Sequence, residues 1–189
     1  MHYPVITISR EYGSGGRAIG ERLAKELGVP FYDKELIFMA AKESGLSEEY
    51  IKKTKQMKST SFLYGLYMSA QQLPMNDQIF LVQSKIIRQV AQEGPCVIVG
   101  RCATNILKDK SLKIFIHAPF EERVQNVIRR TGREEASARK LVKKMDKERK
   151  AYYEYFTDSK WLDMTQYDLC IDSSRFSMEQ IVEIVKRCL

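Results

Sequence analysis

A glycine-rich loop joins an apolar run to an amphipathic helical pattern near the start of the chain, and this arrangement restricts the fold more than any other. Residues 5–8 have the composition of a buried strand, and glycines occupy positions 13, 15 and 16. Ile19, Leu23 and Leu27 then recur at the four-residue spacing of one helix face. Glycines let successive backbone N–H groups form a concave nest, and the helix N-terminus adds the positive end of its dipole. The order of strand, glycine loop and helix therefore indicates a phosphate-binding site.

This loop departs from the P-loop pattern G-x-x-x-x-G-K-[ST] at three positions. If Gly15 is the glycine before the lysine, Arg10 stands where the first glycine should be. Gly16 then replaces the lysine, and Arg17 replaces the Ser/Thr that would bind magnesium. A tight turn whose glycines serve only the backbone geometry is the alternative interpretation. The location between a buried strand and an amphipathic helix favours phosphate binding.

Apolar runs alternate with amphipathic stretches along the rest of the chain. The runs with the character of strands are 5–8, 31–32, 95–99, 112–116 and 168–172. Helices are expected after the glycine loop, over 33–44, 47–58 and 79–93, after Pro119, over 136–149 and on through Tyr155, and over 178–188. Strands alternating with helices indicate a parallel sheet covered on both faces. We therefore predict an α/β fold of three layers with a mostly five-stranded parallel sheet.

Residues 59–76 are rich in apolar side chains but follow no clean period. An ordinary packed connection is the preferred interpretation. A flap over a ligand and a dimer contact are the alternatives.

The length of 189 residues is most simply that of one domain, spanning 1–189. No apolar run approaches the ~20 residues that cross a bilayer. The short run 5–8, followed at once by Arg10, does not form a signal peptide. We therefore expect a cytoplasmic protein with no membrane partner. The four cysteines contain no C-x-x-C pair and there are only two histidines, which predicts reduced, mostly buried thiols and no zinc site.

Positive charge is concentrated in one segment of a chain whose net charge is +7. Residues 120–150 contain eleven Lys/Arg and six Asp/Glu, a net charge of +5. Such a segment implies phosphate-bearing partners, either small nucleotides or nucleic acid. A solvated helix face is the alternative explanation for many of these lysines.

Polar residues follow several of the predicted strands. In a parallel sheet covered by helices, ligands bind beyond the carboxyl ends of the strands. The residues at such ends are Ser9, Asp33, Arg101, His117 and Asp172.

The chain resembles the bacterial cytidylate-kinase-like group of P-loop nucleoside monophosphate kinases. Its opening carries the Ser-Arg-Glu-Tyr-Gly-Ser-Gly-Gly-Arg loop of that group, at residues 9–17. The stretches that match the group in order are 6–27, 28–36, 97–101, 112–116, 121–123 and 167–172. An insert over about 45–77 matches ordinary cytidylate kinases poorly.

The resemblance implies the P-loop NTPase fold and phosphoryl transfer from ATP-Mg²⁺ to CMP or dCMP. The donor phosphates would then be held by the backbone N–H groups of Gly13, Ser14, Gly15 and Gly16. Arg10 and Arg17 would partly substitute for the absent lysine. No protein ligand is assigned to magnesium, which ATP phosphates and water could largely hold.

The same resemblance divides the chain into an acceptor-side helical region, approximately 33–93, and a lid-like region, approximately 119–157. The lid-like region contains Arg129, Arg130, Arg133 and Arg149. Arginine suits a phosphate clamp because its fork of donors meets phosphate oxygens bidentately. The implied catalytic residues are Arg17, Arg129, Arg133 and Arg149, and the implied acceptor-binding residues are Asp33, Arg101 and Arg130. Each lid arginine has a surface ion pair as its alternative role.

Two departures bear on the acceptor side. Cytidylate kinases usually carry an aspartate after the strand-end arginine, where this chain has Cys102, and their Asp-Thr/Ser-Gly pattern is replaced by Asp33-Lys34-Glu35. The altered loop leaves a second hypothesis, a catalytically degenerate nucleotide- or phosphate-binding protein with a regulatory or interaction role.

Nucleic-acid binding through residues 129–150 is a third hypothesis. Aromatic residues follow that segment, but the spacing of Met145, Tyr152 and Phe156 favours a helix packing face over a base-stacking platform. We therefore do not expect a nucleic-acid partner, and a homo-oligomer is compatible with the sequence.

Overall fold

The computed structural model describes residues 5–33 and 75–189. The strands are β1 Val5–Arg10, β2 Phe31–Tyr32, β3 Cys96–Val99, β4 Leu112–His117 and β5 Leu169–Asp172. The α-helices are α1 Gly16–Leu27, α2 Met75–Glu93, α3 Ala103–Leu107, α4 Phe120–Thr131, α5 Glu135–Thr157 and α6 Met178–Lys186. The predicted helices over 33–44 and 47–58, and nearly all of the 59–76 connection, lie outside the described residues.

All five strands run parallel in one sheet with the order β2-β3-β1-β4-β5. The central strand β1 pairs on one side with β3, where Ile8 is opposite Val99, and on the other with β4, where Ile8 is opposite Ile114. The predicted strands and the three-layer α/β class are therefore confirmed. This order brings the carboxyl ends of β1, β3 and β4 side by side, with the glycine loop above them.

Helices cover both faces of the sheet. On one face α1 and α6 pack against a core that includes Ile8, Ile114 and Ile181. On the other face α2 and α3 cover a second core that includes Ile87 and Ile98. Strands buried on both faces tend to be continuous apolar runs, as β3 is, whereas β1 also buries the polar side chains of Thr7 and Ser9.

The helices α4 and α5 form a hairpin with a small apolar core of its own, made by Val124, Val127, Ala138 and Val142. This hairpin occupies the segment predicted to be lid-like. The prediction of separate helical stretches over 136–149 and on through Tyr155 is wrong, because α5 is one continuous helix of 23 residues. Its last turns are held by Phe156, whose ring stacks on Phe80 of α2 at a centroid distance of 4.2 Å.

The short helix α3 has no counterpart among the predicted elements. Five residues give less than two turns, too few for a helical period to be recognised. Arg101 and Cys102 precede it, both in the left-handed region at φ 56°.

The thiols and the helix lengths bear on two further expectations. All four cysteines are free, but only Cys96 and Cys102 are buried, so the expectation of mostly buried thiols is wrong for Cys170 and Cys188. In the described part of the chain, no helix has both the length and the apolar character needed to cross a membrane.

Candidate functional site

The glycine loop forms an open nest at the N-terminus of α1. Gly15 is the N-cap in the left-handed conformation, and the first intrahelical bond runs from the Ile19 N–H to the Gly15 carbonyl at 3.0 Å. The N–H groups of Gly16, Arg17 and Ala18 precede that bond, so the helix offers them no acceptor. A Cβ on Gly15 would meet no atom within 4 Å. The nest therefore has donors and free space in front of them, which suits a phosphoryl group.

The other side of the loop is fixed to the scaffold. A Cβ on Gly13 would lie 2.6 Å from the Arg123 carbonyl oxygen, so this glycine is required by packing. The buried Ser14 hydroxyl donates to the carbonyls of Glu11 (2.9 Å) and Ile116 (3.1 Å). The Ser14 N–H donates to the Glu11 carbonyl at 3.4 Å, which makes Ser14 the weakest of the four predicted phosphate donors.

Arg123 is a buried residue that braces this loop. Its Nε donates to the Ala118 carbonyl at 3.0 Å, and its Nη1 donates to the Tyr12 carbonyl at 3.2 Å. The same guanidinium is paired with the carboxylates of Glu11 and Asp146. Burial raises the pKa of Glu11, and the charge of Arg123 opposes that effect. The only signal for Arg123 in the sequence is its place in the matching stretch 121–123.

We predict that Arg123→Met lowers the free energy of unfolding by roughly 3–5 kcal/mol, because it leaves two partly buried carboxylates without their cation. Urea denaturation with an unchanged slope would measure this loss. The matched control is Arg139→Met, which removes an arginine paired with Glu121 and Glu135 on the exposed side of the same hairpin. Exposed pairs contribute little, so an equal loss in both variants would contradict the bracing role of Arg123.

An arginine cluster lies beside the nest, where β1, β3 and α5 meet. Arg149 of α5 donates through Nη1 to the Arg10 carbonyl at 2.9 Å. Burial, followed by the charges of Arg149 and Arg101, lowers the pKa of Arg10 to about 9. A cavity of about 250 Å³ is lined by Arg10, Arg101, Arg149, Gly100, Tyr152 and Trp161, among others. Like charges held this close, around a cavity, favour an anionic ligand.

Asp33 lies at the edge of this cluster and is 6% exposed. Its Oδ2 accepts a 2.7 Å hydrogen bond from Nε of Arg17, whose Nη1 is 3.0 Å from Glu21. Asp33 also opposes the lowering of the Arg10 pKa. The structure thus places Asp33 and Arg17 together, next to the predicted acceptor side.

Tyr12 connects the glycine loop to both helices of the hairpin. Its N–H donates to Oδ1 of Asp146 at 2.7 Å, and its hydroxyl accepts from Nη2 of Arg130 at 3.1 Å. The guanidinium carbons of Arg130 and Arg149 lie 5.4 and 5.3 Å from the centre of its ring. The sequence alone indicates no role for Tyr12, because these contacts join positions more than a hundred residues apart.

Two of the predicted lid arginines stand apart from the cluster. Arg129 and Arg133 are both exposed. Arg129 donates to the side chain of Asn126, and Arg133 donates to the hydroxyl of Ser137 at 3.4 Å. Of the four lid arginines, the structure brings Arg149 to the cluster and Arg130 next to it through Tyr12. A role for Arg129 and Arg133 in catalysis stays a prediction.

The strand-end residues do not converge on one point. Arg101 lines the cavity beside the arginine cluster, whereas His117 and Asp172 line a separate hollow of about 400 Å³ at the ends of β4 and β5. The buried Ser9 hydroxyl lies 3.2 Å from the hydroxyl of Thr104 in α3. Burial raises the pKa of Cys102 to about 12, so this thiol is neutral and does not replace the charge of an aspartate.

The basic segment also contains surface ion pairs, which fit a solvated helix face. Arg139 pairs with Glu121 and Glu135, and Lys144 lies 3.9 Å from Glu148. The rings of Tyr152 and Phe156 pack against each other at 4.7 Å. Together with the stacking of Phe156 on Phe80, this confirms a helix packing face for these two aromatic residues.

Comparisons with known proteins agree with this geometry. The family model described as the cytidylate kinase-like family matches residues 5–175. A cytidylate kinase from Pyrococcus horikoshii is 31% identical over 188 residues, covering 98% of this chain and 88% of the relative. One from Methanopyrus kandleri is 26% identical, covering 98% and 92%.

Solved structures give the same fold. The crystal structure of an uncharacterized protein from Eubacterium ventriosum matches with a TM-score of 0.74 and 28% identity, covering 98% of this chain and 97% of the other. A shikimate kinase from Bacteroides thetaiotaomicron matches with a TM-score of 0.55, covering 98% and 97%. Its identity of 14% bears on the fold alone.

Proposed function

This chain belongs to the cytidylate kinase-like family, and we propose on that basis that it transfers the γ-phosphoryl group of ATP to CMP or dCMP. It is a nucleoside monophosphate kinase, so the proposal concerns which nucleotides it uses and which residues hold them. The observation that carries the proposal is the juxtaposition of an open backbone nest with a cluster of arginines around a cavity.

The nest fits the phosphates of a nucleoside triphosphate. The N–H groups of Gly15, Gly16, Arg17 and Ala18 would donate to donor phosphate oxygens, with Ser14 contributing less. The exposed side of Gly15 leaves room for a phosphoryl oxygen. The positive end of the α1 dipole lies behind this contact and favours the charge.

The acceptor phosphate would bind on the side of the cluster that Arg101 occupies. Arg101 follows β3 and its guanidinium lies 5.6 Å from the centre of the Tyr152 ring. Arg10, Arg101 and Arg149 line the same cavity, so a phosphate bound there would meet at least two guanidinium groups. Asp33 is the carboxylate at the edge of this space, and a hydrogen bond to a sugar or base of the acceptor is its proposed role. Arg130 would assist from its place beside Tyr12.

Transfer would proceed by in-line displacement. An oxygen of the acceptor phosphate forms a bond to Pγ while the bond from Pγ to the β–γ bridging oxygen breaks, and ADP leaves with that oxygen. Such a transition state needs aligned phosphates and compensation of negative charge, with little further chemistry from the protein. Arg149 and Arg17 would supply charge next to the nest. Arg129 would act from its contact with Asn126, whose Nδ2 donates to the Gly13 carbonyl at 2.9 Å, and Arg133 from the turn that follows α4.

Residues 5–33 and 75–189 contain no group of three His, Cys, Asp or Glu side chains that could hold a metal ion. Arg17 also stands where a P-loop carries its magnesium-binding Ser/Thr. We therefore assign no protein residue to the metal. Magnesium would arrive with the ATP phosphates and keep most of its water.

The experiment that tests the proposal is a coupled ADP-release assay with ATP-Mg²⁺ against CMP, dCMP, UMP, AMP and no acceptor. We expect acceptor-dependent turnover with CMP or dCMP, and turnover well below that with UMP, AMP and no acceptor. Turnover with AMP or UMP alone would contradict the acceptor assignment while keeping the kinase. Absence of turnover with every acceptor would favour the degenerate nucleotide-binding protein.

A further inference from the structure

The two most unusual positions of the glycine loop are in direct contact. Arg10 stands at the first glycine of the P-loop pattern, and Gly16 stands at its lysine. A Cβ on Gly16 would lie 2.6 Å from Cβ and 3.1 Å from Cγ of Arg10. The first distance is too short for two real side chains, and the second is tighter than an ordinary van der Waals contact. A side chain at position 16 and an arginine at position 10 therefore exclude each other.

The course of the Arg10 side chain is fixed by a second glycine. Its guanidinium lies against Gly100, in the space where a Cβ of that residue would be, with Cζ 3.0 Å from that point. The stem of Arg10 thus passes Gly16 and its head reaches Gly100, at the end of β3. The positive charge of Arg10 therefore lies away from Gly16, at the end of β3 and on the same side as Arg101.

The charge of Arg10 is only partly compensated: within residues 5–33 and 75–189, the charges of Arg149, Arg101 and Arg17 lower its pKa, and that of Asp33 raises it. In the same described ranges, no carboxylate or carbonyl accepts a hydrogen bond from its guanidinium, and Arg101 and Arg149 line the same cavity as Arg10. Arg17, the other candidate substitute for the lysine, instead bonds Asp33 and Glu21. A cation that is only partly compensated, with no hydrogen-bonded carboxylate and next to a phosphate nest, is an arrangement that a bound phosphoryl group would complete.

We propose that the cation and the glycine of the P-loop pattern have exchanged places between positions 10 and 16. Arg10 supplies the cation that the lysine supplies in an ordinary P-loop, and Gly16 leaves room for the Arg10 side chain. Arg10 contacts the transferring phosphoryl group from the β3 side, between the donor nest and the acceptor arginines. This inference rests on the proposed function. It makes Arg10 a catalytic residue. Arg17 is instead assigned to the hydrogen bond with Asp33.

The test compares the full chain with Arg10→Gly, Gly16→Lys and the double variant, in the ADP-release assay with ATP-Mg²⁺ and CMP. Arg10→Gly should lose about 100-fold or more in kcat, as when one donor to a developing charge is removed. Gly16→Lys should lose both activity and stability, because its side chain has no room beside Arg10. The double variant should regain at least about tenfold over Arg10→Gly. A folded double variant no more active than Arg10→Gly would overturn the exchange.

Arg10→Met separates charge from packing. Methionine keeps an unbranched stem between Gly16 and Gly100 and removes the guanidinium. We expect it to fold with nearly the urea midpoint of the unchanged protein and to lose transfer to a similar extent as Arg10→Gly. Full activity of Arg10→Met would also overturn the inference.

A binding readout separates this inference from the proposed function. If the unchanged protein transfers to no acceptor, the proposed function fails, and the exchange is then judged by ATP affinity in titration calorimetry. Arg10→Met should weaken ATP binding, and the double variant should bind ATP more tightly than Arg10→Gly. Equal ATP affinity in all these proteins would overturn the exchange, whatever the fate of the kinase assignment.

Discussion

Gly15→Val is expected to abolish ATP binding, with at least about a 100-fold rise in Kd, equivalent to ~2.7 kcal/mol. In the structure the missing Cβ points into open space in front of the helix N-terminus, where the donor phosphates are proposed to lie. A valine there would occupy the nest and keep phosphoryl oxygens away from the N–H groups of α1. Titration calorimetry with ATP-Mg²⁺ measures the change directly.

The matched control for this variant is Gly28→Val at the opposite end of α1. Gly28 is also left-handed, at φ 66° against 79° for Gly15, and a Cβ on it would likewise meet nothing within 4 Å. Both valines therefore pay a similar conformational cost, about 1–3 kcal/mol. Only Gly15→Val should lose ATP binding. Unchanged ATP affinity in Gly15→Val would show that the loop is only a turn.

The fold follows from features that the sequence displays locally. The strand β3, buried on both faces, is a continuous apolar run that includes Val97, Ile98 and Val99, and Gly28 ends α1 in the left-handed conformation typical of a C-cap. Short elements are harder, because α3 has too few residues to show a period. The expected division of α5 into two helical stretches is wrong for a related reason. The last turns of this helix pack through Phe156 on Phe80 of α2, and a local sequence pattern does not show such a contact.

The site is only partly predictable, because neighbouring arginines of the same type point in different directions. Successive residues of a helix are about 100° apart, so Arg130 reaches the hydroxyl of Tyr12 while Arg129 contacts the side chain of Asn126. No sequence pattern distinguishes these two positions. The same holds for Arg149, whose contact with the Arg10 carbonyl joins residues 139 apart.

Buried charge is a second limit on prediction. Arg123 has the composition of any surface arginine in a basic helix, yet it is 6% exposed and joins the loop to α5 through Asp146. Its burial depends on where Glu11 and Tyr12 are placed by β1. The arrangement of the site therefore depends on contacts between the glycine loop and residues that lie far from it in the sequence.

Arg101→Ala is expected to lower kcat/KM for the acceptor by about 100-fold or more, the range seen when a donor to transferring charge is removed. Arg101 lines the cavity shared with Arg10 and Arg149, where bidentate bonds to an acceptor phosphate can form. Little stability should be lost, because alanine keeps the left-handed backbone of position 101 as it is and no core packing is removed. The ADP-release assay at varied CMP measures the effect.

Two further variants show whether geometry or charge is responsible. Arg88→Ala removes the same charge from an exposed position of α2 and should leave kcat/KM near that of the unchanged protein. Arg101→Lys keeps the charge but not the planar fork, so it should recover only part of the lost activity. Full recovery of activity in Arg101→Lys would show that Arg101 acts through its charge alone and not through the planar fork of its guanidinium. Unchanged turnover of Arg101→Ala would remove Arg101 from the site. Acceptor binding would then be assigned to Arg149 and Arg130, and the next variants would remove the contacts of these two arginines with Tyr12.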